Sequence, residues 1–128
     1  MMTLNRLTVE WIRACARASA PREMCGVLVV REIGRPFIFH ITGNIAEPDN
    51  EYIVDPEDHM RLVEEGKEIV GVVHSHVKAD ATPSGMDVEM MVPGYLYAIC
   101  SVRHNEMRAW RKTHMGDVIE VPIVVEKR

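Results

Sequence analysis

Apolar positions along the chain fall into two periods, and the switches between them outline its elements. Leu7, Trp11, Ala14, Cys15 and Ala18 recur at intervals of four, three, one and three. That spacing marks one face of a helix over about residues 8–19, which Pro21 ends. Residues 25–31 are a continuous valine- and leucine-rich run, expected as a buried strand. The turn Ile33-Gly34-Arg35-Pro36 leads to a second strand over 37–42, and the two make a hairpin. Residues 44–50 carry Pro and Asp and are expected as loop, with a short strand over 52–54. Asp55 then caps a helix, Pro56 suits its first position, Glu57 and Asp58 favour the positive end of its dipole, and Gly66 stops it. Residues 68–75, with Ile69, Val70, Val72 and Val73, are expected as a central strand. A short helix over about 84–91, strands over 96–102 and 107–112, and a last strand over 118–125 complete the chain. This order predicts an α/β (α+β) domain spanning residues 1–128, a mixed sheet flanked by helices.

Composition narrows the function. The 128 residues suit one hydrophobic core, and 47% hydrophobic with 27% charged residues is ordinary for a globular chain. A net charge of −4 argues against a nucleic-acid partner. Arg6, Arg13, Arg17 and Arg22 gather near the N-terminus and are expected on a solvated helix face. No apolar stretch approaches the ~20 residues that cross a bilayer, and the first residues lack the apolar core of a signal peptide. Cys15, Cys25 and Cys100 form no paired framework. A reducing, cytoplasmic setting without structural disulfides is therefore expected.

The chemistry gathers where the central strand ends, in "GVVHSHVKADATPSGMD". Residues i and i+2 of a strand point to one side, so His74 and His76 project together. Two imidazoles on one face suit a borderline metal such as zinc, and Asp87, arriving on the next helix, is the nearest third ligand. The same residues also admit a plainer account. His-Ser-His can be polar positions at a sheet edge, and Ser84 with Asp87 fits a helix capping pattern. His40, His59, His104 and His114 stand isolated.

"HSHVKADATPSGMD" resembles the JAMM motif: His-x-His, seven residues, Ser, two residues, Asp. The motif's upstream glutamate often stands in a context like "PRExCG", which "PREMCGVLVV" supplies as Glu23. The chain is thus identified as a member of the JAMM/MPN zinc metallopeptidase family, whose fold is cytidine-deaminase-like. "DPEDH" before the central strand and "PSGMD" before an apolar strand look most like the JAMM-type domains of phage tail assembly K proteins. Those larger proteins carry a second, NlpC-type peptidase domain, whose activity these residues do not imply. The residue after the second histidine is often proline in the family and is Val77 here, which alters loop stiffness.

The resemblance implies that His74, His76 and Asp87 hold Zn²⁺, that Glu23 is the general base and that Ser84 stabilises the oxyanion. It implies hydrolysis of a peptide or isopeptide bond, with a ubiquitin-like tail or a phage tail component as the protein partner, in the cytoplasm or on a virion. Without the histidines Glu23 would read as a solvated loop acid. Cys25 begins an apolar strand with no histidine near it in sequence, which disfavours a thiol nucleophile. Two rivals are a non-enzymatic scaffold of this fold, disfavoured because all five motif positions are present, and a metalloenzyme for small-molecule amides.

Overall fold

Asn5 closes a short first strand and caps the helix that follows, its Oδ1 accepting from Thr8 N at 2.8 Å. The structure is a computed structural model and describes residues 1–127. In chain order the elements are β1 (Met2–Asn5), α1 (Arg6–Ser19), β2 (Cys25–Val30), β3 (Ile38–Thr42), α2 (Pro56–Glu64) and β4 (Glu68–His76). They continue with α3 (Gly85–Met90), β5 (Leu96–Ser101), β6 (Glu106–Lys112), β7 (Val118–Val121) and β8 (Ile123–Glu126).

Six strands form one mixed sheet in the order β3-β2-β4-β5-β6-β7. Within this sheet β4 and β5 are the one neighbouring pair that runs parallel, and the crossover between them carries α3. Against one face Ile12 and Ala16 of α1 pack on Leu28, Val73 and Ala98. On the other face Leu62 of α2 covers Val27 and Val29. Ala81 and Met91 pack there on Tyr97, Ile99 and Trp110. Strand alternation turns Val73 and Ser75 toward α1, and Val72, His74 and His76 the other way. The two histidines therefore emerge between the α2 and α3 clusters, at the carboxyl end of β4. β2 also lies close to β3. A Cβ at Gly26 would overlap the Phe39 ring and the His40 carbonyl, so no larger residue fits without moving them.

The fold is the expected mixed sheet flanked by helices, with four differences in detail. The stripe read as one face of α1 is mostly solvent-facing: Leu7, Trp11, Ala14 and Ala18 are exposed and only Cys15 is buried. The buried face holds Ile12, Cys15 and Ala16, because a second apolar stripe runs beside the first. β1 was not expected. It is four residues long and gains its partner, β8, only from the far end of the described chain. The expected last strand is two. Pro122 has no N–H to continue the ladder, so β7 ends at Val121 against β6 and β8 leaves to pair with β1. Finally, residues 52–54 form no strand; only Val54 makes an isolated bridge, to Asn44.

Candidate metal centre

The local sequence builds the site from two ends. Ser84 caps α3 in a reciprocal box: its Oγ accepts from Asp87 N at 3.0 Å, and its own N–H donates to Asp87 Oδ2 at 2.9 Å. Asp87 is nonetheless turned inward. His76 Nε2 lies 2.9 Å from that same Oδ2, and His74 Nε2 lies 3.7 Å from Oδ1. Capping and facing the histidines, which looked like competing tasks for one carboxylate, are performed together because Oδ2 accepts from both sides.

His76 Nδ1 donates to the Asp80 carbonyl at 2.6 Å. That bond fixes the ring and leaves Nε2 as the atom presented to the site. The loop carrying Asp80 is held without a proline at position 77. Trp110 Nε1 donates to Ala81 O at 2.8 Å, Ser101 Oγ to Ala79 O at 2.7 Å, and Ala81 N to Glu106 Oε1 at 3.0 Å. Burial lowers the His76 pKa, but the hydrogen bonds to Asp87 and Asp80 outweigh it and the net shift is upward. Burial raises the Asp87 pKa in turn, and the His76 bond, the nearby His74 and the Ser84 N–H reverse it to a net lowering. The two shifts have one cause in common, the His76–Asp87 contact, which favours the charged form of each group.

Glu23 approaches from the other side of the cluster. The β2–β4 register sets Cys25 opposite His74, which places Glu23 just beyond the strand end. Ser75 locks that segment: its N–H donates to Met24 O at 2.9 Å and its Oγ accepts from Met24 N at 2.7 Å. Glu23 Oε1 then sits 3.5 Å from His74 Nδ1, buried, and neither atom has a hydrogen-bond partner. Sequence reasoning assigned no role to Ser75, whose contact depends on a strand pairing that spacing does not reveal.

It also missed Tyr52. The Tyr52 ring stacks on His74 with centroids 4.2 Å apart and planes 18° from parallel. Burial, and secondarily the Asp87 charge, pushes its phenol well above the usual range, so the ring is neutral. Arg22 also departs from expectation. It is not a solvated helix residue, since its Nη2 donates to Asn44 O at 3.0 Å and also to Ala46 O.

The ligand atoms of His74, His76 and Asp87 lie within 4.8 Å of one another, so these three side chains could hold a metal ion. The donor set fits zinc: two imidazoles and a carboxylate, with one histidine oriented by a backbone carbonyl. A groove of about 410 Å³ opens beside them, with Glu23, Asp49, Asn50, His76, Lys78 and Ser84 in its lining. Cys25 is fully buried, with its Sγ donating to Gly43 O at 3.3 Å. Burial pushes that thiol up despite its contact with Thr42, the opposite of what a nucleophilic thiolate needs.

A mixed sheet whose central strand delivers two histidines to an aspartate on the next helix, with a buried glutamate opposite, defines a JAMM-type arrangement. Residues 8–113 match the family described as prokaryotic homologs of the JAB domain, and the chain belongs to that family. It is 31% identical over 123 residues to the desampylase of Pyrococcus furiosus, a match covering 91% of this chain and 87% of that one. It is 33% identical over 84 residues to tail tip assembly protein K of Escherichia phage N15, covering 66% of this chain but only 34% of that protein. Among solved structures, a Desulfitobacterium hafniense protein superposes with a TM-score of 0.88 at 26% identity, over 100% of this chain and 94% of the other. Among the described residues no helix is long and apolar enough to cross a membrane.

Proposed function

We propose that residues 1–128 act as one zinc-dependent hydrolase unit that cleaves an isopeptide or peptide bond in a protein conjugate. The observation that carries this reading is the convergence of His74, His76 and Asp87 opposite a buried Glu23 carboxylate oxygen that has no hydrogen-bond partner. The match to a desampylase over most of both chains favours a conjugate as substrate. The phage tail reading rests on a match to about a third of protein K and ranks second.

Zinc held by the three ligands would supply a nucleophilic water at neutral pH and polarise the scissile carbonyl. Glu23 would accept a proton from the attacking water and pass it to the leaving amine. Its freedom from other hydrogen bonds suits it to the task. Ser84 Oγ accepts from Asp87 N, so its own O–H proton stays available to the oxyanion. Extended substrate would lie along the groove, whose lining includes Asp49, Asn50 and Lys78.

The test uses the zinc-loaded chain on lysine-linked diubiquitin, on a conjugate of a prokaryotic ubiquitin-like protein, and on small aryl amides. Cleavage of a conjugate that stops with a chelator and returns with zinc is the expected result. Turnover of the aryl amides alone would move the assignment to small-molecule amides, and a zinc-loaded protein inert on all three would favour a scaffold.

Proton competition gives a second test. The raised His76 pKa stabilises the metal-free fold fully below the ordinary histidine value of 6.5, and that contribution is lost as pH rises through the folded value. The lowered Asp87 pKa stabilises above the ordinary carboxylate range and is lost only in acid, as pH falls through its folded value. Zinc must displace the His76 proton, so its affinity should gain about tenfold per pH unit until that proton is gone. Melting curves with and without zinc at about pH 5.5 and about pH 8 should show a small stabilisation at the first and a large one at the second. Equal increments would exclude a titrating histidine from the ligand set.

A further inference from the structure

The loop between β3 and α2 has no repeating structure; its neck is closed by Ile45 N donating to Ile53 O and Asp55 N to Gly43 O, each at 3.0 Å, and by one side chain that reaches beyond them. Asn44 uses its whole carboxamide. Nδ2 donates to Glu51 O at 3.0 Å and to Glu23 O at 2.9 Å. Oδ1 accepts from Ala46 N and Ile53 N, each at 3.0 Å. Three of these bonds close the loop on itself. The fourth reaches across to the segment that carries Glu23. Arg22, the residue before Glu23, binds the same neck through Asn44 O. Tyr52 lies between Glu51 and Ile53, both held by Asn44, and its ring covers His74. Asp49 and Asn50, near the loop's tip, line the groove.

We propose that Asn44 is a positioning residue that sets Glu23, Tyr52 and the outer wall of the groove as one unit around His74. The physical reason lies in what else holds Glu23. Its Oε1 has no hydrogen-bond partner, so the carboxylate is placed by its backbone. That backbone is tied by Ser75 to Met24 on one side and by Asn44 to the Glu23 carbonyl on the other. A base displaced by about 1 Å can lose on the order of 10²-fold in rate. On the loop side, two acceptor bonds to Oδ1 and one donor bond from Nδ2 hold the residues flanking Tyr52. Losing them leaves only the backbone bonds of the neck, Ile45 N to Ile53 O and Asp55 N to Gly43 O, so Glu51 and the tip beyond it loosen and the Tyr52 ring shifts on His74.

The inference rests on Glu23 as the base, and the two substitutions that test it include one readout, the His74 resonances, that does not share that dependence. Asn44→Ala removes all four bonds. In the metal-free protein, the His74 ring-proton resonances should move toward those of Tyr52→Leu, because the ring current of Tyr52 is withdrawn. Zinc content should be unchanged, kcat on the cleaved conjugate should fall by ~10²-fold, and KM should rise as the wall loosens. Asn44→Asp keeps both Oδ1-type acceptor bonds and loses both donor bonds, so it also serves if the alanine variant fails to fold. Its His74 resonances should stay near wild type while kcat falls by ~10-fold or more at nearly constant KM. Wild-type His74 resonances in Asn44→Ala, or a wild-type kcat in Asn44→Asp, would overturn the proposal even if either protein melted early. Should the wild-type chain cleave no amide at all, the proposed function falls, and the resonance measurement still decides whether Asn44 sets the stack.

Discussion

His76→Ala should yield a folded protein without zinc. The side chain sits at the carboxyl end of β4, beyond the clusters that close the two faces of the sheet, so its removal costs no packed apolar contact in them. What it removes is one of three ligands. Two protein ligands rarely hold zinc at a site with an open position. Loss of a mere outer partner of a ligand already costs 10–100-fold in affinity, so loss of a ligand should exceed ~10². Elemental analysis of dialysed protein should fall from about one zinc per chain to almost none, and conjugate cleavage to background. The same holds for His74→Ala, which in addition strips Tyr52 of its stacking partner. Unchanged zinc in the double variant would sink the ligand assignment.

Glu23→Gln should separate binding from chemistry. Glutamine preserves shape, the bond from Asn44 to the carbonyl of residue 23 and the Met24–Ser75 bonds beside it, but it cannot take a proton. Melting temperature and zinc content should match wild type, while kcat falls by ~10²–10⁴-fold, the usual contribution of a positioned general base. KM should change little, since the lost interaction develops only as the water is deprotonated. If the variant instead loses its zinc, Glu23 is a ligand, and the roles of Glu23 and Asp87 must be exchanged.

What could be read from the sequence follows physical range. His74 and His76 were legible because a two-residue period in a strand fixes their common side with no knowledge of the rest of the fold. Ser84 and Asp87 were legible as a cap from local spacing alone, but that Asp87 could also face the histidines depended on the crossover bringing α3 back over the strand end. Glu23 came from resemblance and not from physics: it meets His74 through the β2–β4 register, which no local pattern announces. Ser75, Asn44 and Tyr52 stayed hidden for the same reason, since each acts across strands or across a loop. The exposed stripe of α1 misled because periodicity finds an apolar face without saying whether the sheet lies under it. Pro122 was visible, but its effect, sending β8 to a different partner, needed β1, whose four residues carry too short a pattern to register.

The pairing of β1 with β8 also bears on how the protein is made. Met2 and Leu4 are fully buried in the finished fold, yet β1 finds its neighbour only when residues 123–126 arrive. At ordinary translation speeds of 5–20 residues per second that is a wait of roughly 5–25 s. During that interval the hairpin, β4 and β5 can assemble with the histidines in place, while β1 waits for β8. The nascent chain thus exposes an unpaired apolar strand until residues 123–126 have emerged, and chaperones that recognise short apolar segments would meet it there.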